Sequence, residues 1–220
     1  MKIDVICSSA DHPVNACLEA WRDRRAAEHD IGLLQRVKDA RGGDILFLVS
    51  CTEIVDKSVR DRYRHALVLH ASDLPEGRGW SPHVWAILEG ARDITVSLLD
   101  AEDRVDTGAI WAKRRFRVPA DALYDEINAG LFATELALMD DALAMAMRGE
   151  GPVPQRAEGV SYWPRRRPED SELDPTRALS ELFDAIRVAD PDRYPAFFRL
   201  RGHVYEIRLR KVGKDDRDQD

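Results

Sequence analysis

The stretch LVLHASDLPEGRGWSPHVWAILEG, residues 67–90, joins an apolar strand, a loop and the start of a helix. The strand ends at His70, and the loop that follows is rich in residues that favour turns. Ser81 and Pro82 suit the first positions of a helix, and Gly90 suits its end. A polar side chain at such a junction is either a packing residue or part of an active-site loop, and the rest of the chain decides between them.

Apolar strands and helical stretches alternate on both sides of this unit. KIDVICSS, DILFLVSC and DITVSLLD are predicted as strands, and residues 14–27 and 121–148 as helices. Strands that are apolar on both faces indicate a parallel sheet covered by helices. The sequence therefore predicts an α/β fold, with a Rossmann-like, mostly parallel sheet and helices on both faces. Since neither G-x-G-x-x-G nor G-x-x-x-x-G-K follows the first strand, this sheet does not imply binding of NAD or ATP.

A change in composition divides the chain near residue 150. Residues 148–159, RGEGPVPQRAEG, combine three glycines and two prolines with polar residues, which is typical of a linker or exposed loop. An amphipathic helix near residues 176–189 and a β-hairpin with Arg201-Gly202 at its turn are predicted beyond it. We expect a main domain at residues 1–150 and a small C-terminal α+β extension at residues 151–220. The charged tail, residues 213–220, is expected to be disordered.

Charge and composition exclude several classes of protein. The net charge is −7, and the basic residues form local clusters rather than a continuous stripe. DNA and bulk RNA are therefore not expected partners. No apolar run approaches the roughly 18 residues of a membrane span, and the N-terminal run resembles a first strand rather than a signal peptide, so the expected compartment is the cytoplasm. The three cysteines are too few and too scattered for a disulfide framework or a cysteine zinc site, and no metal is expected.

The candidate site lies where the predicted strands end, because open parallel sheets bind ligands beyond the carboxyl ends of their strands. His70, Ser50 and Cys51 lie at such ends, and Asp100 is expected at the same edge. One strand–helix–strand unit separates His70 from Asp106, so the two side chains are candidates for a general base and its orienting carboxylate. On spacing alone, a purely structural His–Asp pair remains the alternative.

The chain resembles the formyltetrahydrofolate-dependent formyltransferases over residues 44–198. The matching features are, in chain order, His70, Ser72-Asp73-Leu74-Pro75, Gly77, Gly79, Trp85-Ala86-Ile87-Leu88 and Asp106-Thr107-Gly108. The segments SYWPRRRPEDSELD and IRVADPDRYPAFF look like the part that closes the core in methionyl-tRNA and sugar formyltransferases. The form H-x-S-D-L-P-x-G-x-G-W-S-P resembles the branch that acts on nucleotide-activated sugars in bacterial surface-sugar pathways.

The resemblance implies a reaction and a set of residues. His70 would shuttle the proton of an attacking amine or stabilise the oxyanion, and Asp106 would orient it. The formyl donor would be N10-formyltetrahydrofolate, and the acceptor would be the amine of a nucleotide-activated amino-deoxy sugar. The residues expected to bind folate are Ser50, Cys51, Ser72, Leu74, Pro75, Arg104 and Val105. The residues expected to bind the acceptor are Asn15, Gly79, Trp80, Arg165 and Arg166.

One position departs from the family pattern, and several residues have a second interpretation. Val68 stands where the family has an Asn that polarises the formyl carbonyl, and protonated His70, Ser72 or a backbone N–H are the possible substitutes. Instead of binding the acceptor, Asn15 would serve as a turn or helix-start residue in its second interpretation. The cluster Arg165-Arg166-Arg167 is either a phosphate site or a charge run that is solvated or paired with Glu169 and Asp170, and His83 is expected on the surface.

Two other functions stay open. A methionyl-tRNA formyltransferase is disfavoured by the acidic charge and by the short stretch of chain beyond the core. A non-catalytic protein that binds folate or a nucleotide sugar would explain the missing Asn. The expected partners are the folate and the sugar nucleotide, with a homodimer as an allowed assembly.

Overall fold

The computed structural model of the protein describes residues 1–214. Its strands are β1 (Lys2–Ile6), β2 (Asp30–Leu34), β3 (Gly43–Leu48), β4 (Tyr63–His70), β5 (Arg78–Gly79), β6 (Asp93–Asp100), β7 (Ile110–Arg117), β8 (Tyr162–Trp163), β9 (Ala196–Leu200) and β10 (His203–Ile207). Its α-helices are α1 (Val14–Arg25), α2 (Lys57–Arg60), α3 (Pro82–Leu88), α4 (Tyr124–Arg148) and α5 (Leu179–Arg187). Short 3-10 helices cover Val37–Asp39 and Pro168–Ser171. Residues 215–220 of the tail expected to be disordered lie outside the described part of the chain.

A six-stranded sheet with the order β2-β1-β3-β4-β6-β7 forms the centre of the molecule. The first four strands are parallel, whereas β6 runs antiparallel to β4, and β7 antiparallel to β6. The predicted fold class, a mostly parallel α/β sheet with a small extension, is confirmed. The expectation that Asp100 lies at the same edge as His70 is wrong, because in the antiparallel register Asp100 pairs with Leu67.

The direction of β6 is seen in its register with β4. Residues 71–92 connect the two strands and contain the seven-residue α3. His70 pairs with Ser97 and Leu67 pairs with Asp100, so the chain enters β6 near the edge at which β4 ended, and β6 runs back antiparallel.

The two faces of the sheet are covered unequally. Helices α1 and α4 bury one face in a large apolar cluster that includes Trp21, Phe47, Leu98 and Met139. The other face carries a smaller cluster built on Leu46 and Leu48, with Val68 and Cys51 only partly buried beside it. This face is therefore the more thinly covered one at the carboxyl ends of β3 and β4.

The C-terminal extension is attached directly to the main sheet. Val153, in the predicted linker, exchanges both backbone hydrogen bonds with Ile110 of β7, at 2.7 and 2.8 Å. The predicted hairpin is formed by β9 and β10, and both turn residues, Arg201 and Gly202, have the left-handed backbone that such a tight turn requires. No helix in the described residues is long and apolar enough to cross a membrane.

Candidate active site

His70 lies at the last position of β4 with its side chain almost fully enclosed, at 7 % exposure. Its Nδ1 is 3.5 Å from Oδ1 of Asp106, and its Nε2 is 2.9 Å from the carbonyl oxygen of Gly77. Both neighbours are hydrogen-bond acceptors, and only the doubly protonated imidazolium donates to both. The structure thus brings together the two residues that the sequence singled out.

Asp106 reaches His70 through the loop that connects β6 to β7. Its side chain is buried, and Oδ2 accepts a hydrogen bond of 2.8 Å from the backbone N–H of Gly79. Its backbone has φ +57°, in the left-handed region that a non-glycine residue occupies only at a cost in free energy. Backbone of this kind persists where the surroundings enforce it, and it is common at functional sites.

The loop that follows β4 contacts both residues of the pair. The carbonyl of Gly77 meets His70, and the N–H of Gly79 meets Asp106. Both glycines have left-handed φ values of +71° and +105°, and a Cβ at either position would collide with Trp163. Glycine is therefore required at both positions, by backbone conformation and by the close approach of the extension.

The extension holds this loop from the outside. Ser161 accepts a 2.8 Å hydrogen bond from Gly77 N–H at its hydroxyl, and its carbonyl accepts one of 3.0 Å from Arg78 N–H. Strand β8 pairs with β5 in parallel register. Residues beyond 150 thus help to shape the loop that carries the His70 contact.

Asp100 takes no part in this arrangement. Its carboxylate accepts a 2.8 Å hydrogen bond from the Trp111 indole N–H, and burial is the chief cause that raises its pKa. The antiparallel direction of β6 places it beside Leu67, three residues before His70 in the strand. Its role in the structure is to anchor Trp111.

The residues expected to bind folate fall into two groups. Ser50 and Cys51 follow β3, Ser72 follows β4, and Arg104 and Val105 are exposed in the loop just before Asp106. The Ser72 hydroxyl is buried without a hydrogen-bond partner among residues 1–214. The side chains of Leu74 and Pro75 are instead buried within the loop.

The residues expected to bind the acceptor also fall into two groups, one engaged within the protein and one partly open. The side-chain amide of Asn15 donates to the carbonyls of Ser9 and Ala10 at 2.9 and 2.7 Å, so it closes the turn before α1. This contact favours its interpretation as a helix-start residue. The aromatic surface near Gly79 is different, because it remains partly open.

We call this surface the tryptophan–arginine layer; its members are Trp80, Trp85, Trp163, Arg165 and Arg166. The guanidinium of Arg165 lies 4.7 Å from the ring centre of Trp80, and that of Arg166 lies 5.6 Å from Trp85. Trp85 stacks on Trp163 with 5.8 Å between the ring centres. The layer joins the α3 end of the loop that follows β4 to the C-terminal extension.

Among the described residues, the arginine side chains of this layer make no ion pair with the carboxylates of Glu169 and Asp170, and the alternative of a solvated charge run stays open for the exposed Arg165. Arg166 donates to the backbone carbonyl of Asp170 at 3.2 Å, and the Asp170 carboxylate accepts from the backbone N–H of Arg167. Burial lowers the pKa of Arg166, and its Nη1 is buried without a partner among residues 1–214. The alternative in which these arginines pair with the carboxylates of Glu169 and Asp170 is therefore wrong for the described structure.

Two histidines near His70 were not identified as site residues from the sequence. His83, expected on the surface, is only partly exposed; burial is the chief cause that lowers its pKa to about 4, with His70, His12 and Arg166 acting in the same direction. Burial and then Arg193 lower the pKa of His12 to about 4. Both rings are therefore uncharged at neutral pH. Nothing in their local sequence signals that they lie near His70.

The chain is similar to known proteins in both its sequence and its fold. The family described as "Formyl transferase" matches residues 6–143. The chain is similar to the methionyl-tRNA formyltransferase of Sorangium cellulosum, with 31 % identity over 148 residues that cover 66 % of this chain and 48 % of that protein. Among the curated relatives it matches, it spans about half of the methionyl-tRNA formyltransferases, from 48 to 57 % of their length in three examples.

Two solved structures share the fold. HypX from Aquifex aeolicus in complex with tetrahydrofolic acid superposes with a TM-score of 0.79 at 20 % identity, over 93 % of this chain and 36 % of that chain. A sugar N-formyltransferase from a Shewanella species superposes with a TM-score of 0.72 at 16 % identity, over 97 % of this chain and 99 % of that chain.

Proposed function

The chain belongs to the formyl transferase family, and from that membership we propose that it is an enzyme that moves the formyl group of N10-formyltetrahydrofolate to an amine. The observation that carries the proposal is the enclosed pair of His70 and Asp106, with 3.5 Å between Nδ1 and Oδ1. Two groups from distant parts of the chain meet at the sheet edge where ligands bind in folds of this class. The pair supplies the acid–base chemistry that amide formation requires.

In the proposed reaction the uncharged amine attacks the formyl carbon, and a tetrahedral intermediate forms. The bond from the formyl carbon to N10 then breaks, and the proton lost by the amine is taken up by N10. His70 is the group placed to move that proton, since its ring can accept and release one. As an imidazolium it would stabilise a developing oxyanion by its charge, and it would donate to that oxyanion only if the contact of Nε2 with the Gly77 carbonyl were released. Asp106 fixes the ring and balances its charge.

Ser72 is our candidate for the oxyanion donor that the family pattern has as Asn at position 68. Val68 lies in β4, two residues before His70, and its side chain makes no hydrogen bond. The hydroxyl of Ser72 is buried and has no partner in the described residues. A free O–H in an enclosed site is suited to donate to the formyl oxygen as charge develops there.

The donor would bind on the thinly covered face of the sheet. Cys51, which follows β3, and Val68, near the end of β4, are partly buried apolar side chains beside the buried Leu48, and an apolar surface suits the flat face of a pterin ring. Ser50 and Cys51 border this surface on one side, and Arg104 and Val105 lie in the loop that leads to Asp106. Backbone groups of these loops would supply the hydrogen bonds.

We propose a nucleotide-activated amino sugar as the acceptor. The tryptophan–arginine layer supports this proposal, because indole rings stack on bases and guanidinium groups pair with phosphates. Trp80 is 40 % exposed, so its ring remains available. Arginines near the amine would also favour its uncharged form, which is the nucleophile.

Methionyl-tRNA is the second candidate acceptor, on the evidence of the curated relatives named above. Against it, the basic cluster at residues 113–117 is neutralised in the structure. Lys113 pairs with Asp73 at 2.6 Å, and Arg114 pairs with Asp141 at 2.6 Å. Arginine and lysine residues held by carboxylates contribute little to binding a polyanion.

The wider assignments are proposals of the same kind. We propose residues 1–150 as the catalytic domain and 151–220 as the extension that closes it, supported by the contacts of Ser161 and Val153. We propose the cytoplasm as the compartment, because the apolar run at residues 2–6 forms inner strand β1.

The proposal is tested by donor turnover. The purified protein is mixed with N10-formyltetrahydrofolate and, separately, with nucleoside-diphosphate amino sugars, methionyl-tRNA or simple amines, and released tetrahydrofolate is followed. Release with an amino sugar, with the formylated product seen by mass spectrometry, is the expected result. Formylated methionyl-tRNA would replace the acceptor proposal with the second candidate. Folate binding without turnover for any amine would indicate a non-catalytic binding protein.

A further inference from the structure

Gln155 bridges the two loops that contact the His70–Asp106 pair. Its Oε1 accepts a 2.7 Å hydrogen bond from Nη2 of Arg78, which lies between the two glycines of the catalytic loop. Its Nε2 donates to the carbonyls of Asp106 and Gly108 at 2.9 and 2.8 Å. Both N–H groups and the oxygen of the amide are thus engaged.

The turn that Gln155 holds contains one of the four non-glycine residues with left-handed backbone in residues 1–214. Asp106 has φ +57°, and its carbonyl is one of the two that accept from Gln155. Its carboxylate is held separately by Gly79 N–H at 2.8 Å. A left-handed aspartate of this kind relaxes when its restraints are removed, because a residue with a side chain adopts this conformation only at a cost in free energy.

The segment that carries Gln155 is fixed rather than loose, although its composition is that of a linker. Two residues earlier, Val153 exchanges backbone hydrogen bonds with Ile110 at the start of β7. Gln155 therefore approaches the turn from a position that the main sheet determines. A side chain on such a support places its partners accurately.

We infer that Gln155 is a positioning residue, which keeps the carboxylate of Asp106 beside His70 by holding the turn at residues 106–108 to Arg78. The inference rests on the proposed function for its kinetic consequence. The residue does not touch the reacting atoms and acts through Asp106.

The kinetic test is a double-mutant cycle. Gln155→Ala is expected to lower kcat at least tenfold with the KM for folate changed less than twofold, because the pair is misplaced while the donor surface is intact. In an Asp106→Asn background the same change is expected to have less than a twofold effect, since its target is already lost. Gln155→Glu, which keeps the acceptor for Arg78 but sets an anion against two carbonyls, is expected to be at least as impaired. Arg156→Ala, at the exposed neighbouring position, is the matched control and should retain the wild-type rate.

Two kinetic outcomes would overturn the inference: an unchanged kcat in Gln155→Ala, or an equal loss with and without the Asp106 change. The crystal structure of Gln155→Ala tests it without activity. The expected result is that Asp106 leaves its left-handed conformation and that the Nδ1–Oδ1 distance exceeds 3.5 Å. An unmoved turn would refute the inference even if the wild-type protein transfers formyl, whereas a wild type without turnover would refute the proposed function alone.

Discussion

Replacing Glu135 by Gln is expected to remove a large part of the pH dependence of stability. Glu135 lies on the buried face of α4 with 5 % exposure, and its Oε2 is buried without a hydrogen-bond partner among residues 1–214. Burial raises the pKa of this carboxyl from 4.5 to about 8. In the native protein at neutral pH the group is therefore protonated, whereas in the unfolded chain it is ionised.

The size of the effect follows from that difference. A shift of about 3.5 pH units at about 1.36 kcal/mol each amounts to about 5 kcal/mol. Between pH 4.5 and about 8 the native state binds one proton more than the unfolded state, so the free energy of unfolding falls as the pH rises. The pKa values of His12 and His83, lowered from 6.5 to about 4, act with the opposite sign below pH 6.5, and comparison with the variant cancels their contribution.

The assay is urea unfolding of wild type and Glu135→Gln across this range. From about pH 5 to about pH 8 the wild type is expected to lose about 4 kcal/mol relative to the variant. Glu19→Gln, at an exposed position of α1, is the control and should follow the wild type. Parallel curves for wild type and Glu135→Gln would refute the assignment of a buried, protonated carboxyl to this residue.

Four further predictions concern the site and the thiols. His70→Ala should abolish donor turnover while leaving the fold intact, and undiminished turnover would refute its role. Asp106→Asn should lower kcat more than folate affinity; an effect on affinity alone would make Asp106 only a binding residue. Ser72→Ala should lower kcat about 100-fold, the scale of a lost oxyanion donor, and an unchanged kcat would exclude the hydroxyl from that role. Cys7, whose pKa is raised chiefly by burial, should react with iodoacetamide more slowly than the partly exposed Cys51, as followed by peptide mass; equal rates would contradict the burial argument.

The longer helices and strands could be predicted from the sequence because they have strong local patterns, whereas α2, β5 and β8, of two to four residues each, are too short to show one. The predicted helix at residues 121–148 is α4, and the hairpin at Arg201-Gly202 is present. The antiparallel course of β6 could not be predicted, since a strand that is apolar on both faces fits either direction. Ser81 shows a similar limit: its residue type suits an N-cap, yet it has φ +47° and makes no capping bond, because the preceding loop is held by the extension.

Some residues of the candidate site could likewise be identified from the sequence, and others could not. His70 and Asp106 could be identified from the motifs around them, and the structure places them together. Gln155 could not, because its importance comes from contacts with residues far away in the chain and its own surroundings resemble a linker. Residues that act through tertiary contacts leave no local pattern to find.

The position of β7 at the end of the sheet has a consequence for self-association. One side of this strand pairs with β6, and beyond the contact with Val153 its other side has no strand beside it in the described residues. An open strand edge invites pairing with a second molecule, and natural proteins discourage this with charge. Lys113, Arg114 and Arg115 carry charged side chains on this edge strand. Although Lys113 and Arg114 are paired with Asp73 and Asp141, ion-paired side chains are costly to bury against a second copy of the chain, so they discourage pairing at this edge.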